Sequence, residues 1–89
     1  MACGLPVVYS QSGGVPEIVG DDAGVGVPAA ERFDVDLPPD PDALAEAVRR
    51  VMGDRVRYAS AARARAVAAL DVTSWLARHA ALFAGLLRP

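Results

Sequence analysis

At 89 residues the chain has room for one small domain, and a chain of that length hides only roughly 60–65% of the surface its unfolded form exposes. Apolar residues make up 53% of it, but much of that share is alanine, which adds little area per residue, so a core must rest on a few large side chains. The formal charge is −2, no residue is lysine, and the nine arginines run from Arg32 to Arg88 without forming a block, which excludes a basic footprint for nucleic acid.

Met1-Ala2-Cys3-Gly4 reads as the last turn of a helix stopped by glycine, with its earlier turns missing. Leu5 to Tyr9 is a short β-branched run entered through Gly4 and Pro6 and left through Ser10-Gln11-Ser12-Gly13-Gly14, which predicts a buried strand of a parallel sheet. After the double glycine, Val15 to Val19 predicts a short helix, with Pro16 tolerated in its first turn and Glu17 suited to the positive end of the dipole. Gly20-Asp21-Asp22 ends it. A second strand is expected over Ala23 to Val27, whose glycines suit a sheet edge or a close approach to another backbone.

From Pro28 to Asp40 the chain carries three prolines and a run of acids with little periodicity, so a long surface loop is expected. Asp40-Pro41-Asp42 supplies a helix start, with Asp40 as N-cap and Pro41 at the first helical position. Leu44, Ala47, Val48, Val51 and Met52 then fall on one stripe, and Gly53 closes the helix. Asp54 is expected to cap a second helix to about Leu70, whose small side chains allow close packing. A third, from Thr73 to about Leu87, places Leu76, His79 or Ala80, Phe83 and Leu86 or Leu87 along one seam, with Trp75 and Phe83 as core anchors. The arginines of this half, alternating with acids and alanines, read as a solvated helix face.

One cysteine, Cys3, leaves no internal disulfide, and at a helix end before a buried strand it reads as a small apolar side chain. No apolar run approaches the ~18–20 residues of a membrane span, and no basic n-region opens a secretion signal. A cytoplasmic setting is therefore expected.

The sequence of helix end, GLPVV strand, SGG turn, VPEIV helix, glycine-rich strand, loop and DPDALAEAVRRVM helix resembles the GT-B retaining glycosyltransferases of family 4. The matching stretch is the second half of their C-terminal Rossmann-like domain. The blocks that carry the resemblance are Met1-Ala2-Cys3-Gly4 with Pro6-Val7-Val8, Ser12-Gly13-Gly14 with Pro16-Glu17-Ile18-Val19, Asp40-Pro41-Asp42-Ala43-Leu44-Ala45, and Trp75. The resemblance implies an α/β fold, a partial Rossmann-like domain of short parallel strands followed by three helices, and covers nearly the whole chain. It implies a parent enzyme that moves a sugar from a nucleotide-sugar donor, with the acceptor held mainly on a separate N-terminal domain.

Two departures accompany it. The loop from Pro28 to Asp40 is longer than the compact form usual in the family. The family's donor-site carboxylates, in an E-x7-E motif, fall before the equivalent of Met1, so no catalytic residue can be carried onto this chain. The chain is therefore expected to be an incomplete domain, inactive by itself. What remains is a candidate rim of the donor pocket, Ser12, Gly13 and Gly14, where backbone amides at a helix start could meet a phosphate oxygen. The competing reading is that the glycines only make a tight turn.

Other matches are weaker. Gly24-Val25-Gly26-Val27-Pro28-Ala29 fits a dinucleotide fingerprint in letters, but it runs into a proline-interrupted loop rather than a helix. Asp34-Val35-Asp36 has the D-x-D form that can hold a metal and a nucleotide diphosphate, as does Asp40-Pro41-Asp42, which a helix cap explains better. Solvated acids are the simpler account, and no metal or cofactor is expected. Cys3 and His79 lack a third partner for nucleophilic catalysis. A rival from another class is a free-standing interaction module whose alanine-rich helices expose a stripe, with self-association as its mark. A metal-dependent nucleotide-sugar binder using the acidic loop is a third reading.

Overall fold

The computed structural model describes every residue except Glu31, Phe33 and Asp36. Its elements run β1 (Val7–Ser10), α1 (Val15–Val19), β2 (Gly24–Val27), α2 (Pro41–Gly53), α3 (Arg55–Ala69) and α4 (Val72–Leu86). The two strands pair in parallel, with Val7 opposite Gly24 and Ser10 opposite Val27. The α/β class and the order of elements are those expected from the sequence. At the start, Gly4 N–H donates to the Met1 carbonyl at 2.9 Å, closing a turn.

β1 and β2 approach closely because Gly24 has no side chain. A Cβ built there would lie 1.8 Å from the Val7 carbonyl oxygen, so the close approach anticipated at a strand glycine is a steric requirement at this position. Val7 and Tyr9 pack against a small core of Val19, Ala23 and Ala62. Ala62 is wholly buried, which is how the small side chains of α3 permit a close fit. On the other side of the layer α2 packs along β2, and Ala47, Val51 and Val27 are buried there. β1 is half-buried rather than buried: among the described residues the sheet has two strands, so no further strand covers its free edge.

The helix starts divide into two kinds. Asp40 and Asp71 cap α2 and α4 with their carboxylates, accepting from Ala43 N–H at 3.0 Å and Ser74 N–H at 3.4 Å. Asp54 makes no cap bond to α3, which corrects the expectation. Its carboxylate instead takes the Arg57 guanidinium one turn on. That hydrogen bond, with the Tyr58 side chain beside the guanidinium adding to it, holds the Arg57 pKa above its ordinary value. α4 begins one residue earlier than expected, at Val72, because Asp71 rather than a later residue caps it.

The largest departure is α4. None of its residues is buried; Trp75 is 49% and Phe83 58% exposed. The expected core anchors are therefore uncovered: the seam exists as spacing, but no described element lies against it. The stripe on α2 is likewise only half used, with Leu44, Val48 and Met52 exposed. Cys3 is exposed too and does not serve as a small apolar core side chain, because among the described residues none covers it.

The molecule is a thin plate, 55 × 38 × 15 Å, with a radius of gyration of 16.6 Å, against about 12 Å for a compact domain of its length. Its accessible surface is 6613 Å², whereas a compact monomer of this mass exposes roughly 4,900 Å². No helix among the described residues is long and apolar enough to cross a membrane.

Candidate functional site

The candidate turn sits where a parallel strand ends and a helix begins. Ser10 closes β1, and Gln11 N–H still reaches the Val27 carbonyl at 2.9 Å, so both strands end together. The chain then folds back on itself, with Ser12 N–H donating to the Ser10 carbonyl at 2.8 Å. The two hydroxyls meet as well, Ser12 Oγ donating to Ser10 Oγ at 3.3 Å.

Gly13 follows at φ +57°, a conformation that costs an L side chain about 1 kcal/mol or more. Gly14 is the N-cap of α1 at φ −88°, with no side-chain cap bond. Its carbonyl accepts from Ile18 N–H at 3.3 Å. A Cβ on Gly13 or Gly14 would meet nothing within 4 Å. Both glycines therefore border open space; backbone conformation accounts for glycine at 13, while nothing around position 14 requires it. The structure brings Ser12, Gly13 and Gly14 together at the carboxyl ends of both strands, as the sequence anticipated.

The turn carries no charged side chain of its own. Glu17, in the first turn of α1, supplies a negative charge that opposes an anion at this end. At the far end of α1 the arrangement is reversed. Arg65 donates through Nη2 to the Glu17 carbonyl at 2.6 Å and through Nε to the Ile18 carbonyl at 3.3 Å. Arg63 Nη1 likewise reaches the Ala2 carbonyl at 2.6 Å. These two arginines hold main-chain segments more than forty residues away, a role the sequence reading missed by taking them for a solvated face. Helical spacing alone carries no signal for it.

The remaining candidates are dispersed. Asp34 is held by Arg32 in a two-bond pair, at 3.0 Å and 2.6 Å, which occupies the carboxylate needed by the D-x-D reading; Asp36 lies outside the described residues. Gly24 and Gly26 lie in the strand β2 itself and open no helix. His79 is stacked on Trp75 at 3.8 Å between ring centres and meets Phe83 at 6.4 Å, on the helix with no buried residue and far along the chain from Cys3.

Comparison with known proteins bears on the whole arrangement. The family model for glycosyl transferases, group 1, matches residues 1–68, from the N-terminal turn through nearly all of α3. No curated protein and no solved structure matches the chain at a significant level.

Proposed function

Because this chain belongs to the group 1 glycosyl transferases, we propose that it forms the closing half of a nucleotide-sugar-binding domain in a retaining GT-B enzyme of the family 4 type. In that enzyme a second, acceptor-binding domain faces it. The observation that carries the reading is the turn Ser12-Gly13-Gly14 at the shared carboxyl end of two parallel strands, opening α1. Ligands of open α/β sheets bind at that end, and main-chain N–H groups at a helix start favour an oxygen anion.

Glycosyl transfer breaks the bond between the sugar's anomeric carbon and the donor diphosphate, so negative charge grows on the leaving oxygens while the sugar becomes cation-like. Fixed donors aimed at those oxygens lower the barrier when water is kept out. Ser12, Gly13 and Gly14 would line one side of the diphosphate pocket, and the hydroxyl pair Ser10–Ser12 would hold the turn in shape. The sequence has no pair of glutamates eight apart, so the groups that would hold the sugar and ribose are not on this chain. By itself it transfers no sugar.

The test is in two parts. Amide resonances of Ser12, Gly13 and Gly14 are followed by NMR while UDP-glucose and then GDP-mannose are added, and a radiolabelled-sugar transfer assay is run in parallel. Weak binding, on the order of millimolar, is expected with shifts confined to the turn. Shifts elsewhere alone, or none with either donor, would remove the site; turnover by the isolated chain would overturn the claim of inactivity.

A further inference from the structure

Arg65 joins two parts of the molecule that the chain keeps far apart. It sits three residues after Ala62, which is wholly buried in the small core with Val19 and Ala23, so its side chain leaves α3 from a turn fixed in that core. From there the guanidinium reaches two of the last carbonyls of α1, Glu17 through Nη2 at 2.6 Å and Ile18 through Nε at 3.3 Å, groups that a helix end leaves unpaired. It also lies against Gly20, where a Cβ would come within 3.2 Å of its Cζ. A cation at this end suits the helix dipole.

Ile18 carries the hold through the helix. Its carbonyl accepts from Arg65, and its N–H donates to the carbonyl of Gly14 at 3.3 Å, so one residue links the guanidinium to the N-cap at the opposite end of α1. We propose that Arg65 is a positioning residue for donor binding: by fixing the far end of α1 it sets the direction of the main chain through Gly13 and Gly14. The inference rests on the donor-turn reading given above and adds to it a residue outside the pocket.

Leverage gives the effect its size. α1 has five residues, too few to hold a helical shape unaided, and is about 7.5 Å long at ~1.5 Å per residue. A tilt of about 10° around its held end would carry the turn about 1.3 Å over that length, beyond the ~0.5 Å within which a binding group must be kept. From the strand side, the bond of Ser12 N–H to the Ser10 carbonyl anchors the chain as far as Ser12, one residue short of the glycines. Arg63 supplies the control. Its Nη1 donates to the Ala2 carbonyl at 2.6 Å, a clasp of the same kind on α3 that leads to no part of α1.

Amide spectra of the 89-residue chain, Arg65→Lys and Arg63→Lys test this, with circular dichroism to confirm that each variant keeps its helices. Without ligand, Arg65→Lys is expected to move the Gly13 and Gly14 amide resonances, because lysine lacks the planar fork that serves both carbonyls, whereas Arg63→Lys leaves them in place. Arg65→Gln, which keeps two planar N–H donors without the charge, should move them as well. In a titration with UDP-glucose, Arg65→Lys weakens binding about fivefold or more and Arg63→Lys leaves it unchanged. Glycine resonances that stay put in both Arg65 variants would overturn the proposal, as would an equal loss of donor affinity in Arg65→Lys and Arg63→Lys, which would mark a general loosening. A wild-type chain that binds neither UDP-glucose nor GDP-mannose would sink the donor reading itself, and the ligand-free spectra tell that outcome apart from a failure of Arg65 to hold the turn.

Discussion

Gly24 and Asp40 act at the scale of single residues, one by what it lacks and one by the hydrogen bond it accepts from the backbone. Gly24→Ala forces a methyl group into the Val7 carbonyl, so β1 and β2 must part. A loss of about 2–3 kcal/mol is expected, measured by urea unfolding followed by circular dichroism, and an unchanged midpoint would show that the strands part without cost. Asp40→Ala removes the carboxylate that accepts from Ala43 N–H and is expected to cost about 1 kcal/mol. Asp54→Ala should cost less in the same assay, because that side chain caps nothing; the reverse order would contradict the capping geometry. Both aspartates precede a helix in the same way on paper. Only the folded backbone separates them, since Asp54 has φ −139° and ψ 43° rather than the extended ψ near 130° of Asp40.

At the scale of elements, α1 shows what kind of cause can be read in a sequence and what kind cannot. Its place was legible from Pro16, Glu17 and the glycines on either side, all local signals. Its attachment was not, because Arg65 reaches it from 47 and 48 positions away. Five residues are too few to nucleate a helix alone, so α1 depends on that guanidinium and on the burial of Val19. Arg65→Lys offers a point charge in place of a planar fork and cannot serve both carbonyls in the same geometry. A loss of about 1 kcal/mol is expected, with faster hydrogen exchange at Ile18 and Gly20 and no change in α2; equal rates in both proteins would dismiss the clasp. The same distinction explains α4. Its periodicity predicted an apolar face correctly, while the burial assigned to Trp75 and Phe83 failed, because spacing says which residues align and not whether anything lies opposite. The candidate turn was legible for the first reason: strand end, glycines and helix start are contiguous in Ser10 to Val15.

At the scale of the whole molecule the uncovered surface governs behaviour. With roughly 1,700 Å² more exposed than a compact monomer of its mass, the chain uncovers about a fifth less area on unfolding than such a monomer would. A urea m-value at the bottom of the usual 1–3 kcal/mol/M range is therefore expected, about 1 kcal/mol/M. A markedly steeper two-state transition would mean that the plate closes up in solution. The plate's shortest dimension is 15 Å, so little of the chain lies deep beneath its own surface, and a low effective permittivity needs depth. At the open turn of Gly13 and Gly14 a developing negative charge would meet mobile water dipoles rather than fixed ones unless a second body closed over it. Low permittivity is a property of thickness, and for this chain it can arise only between two bodies.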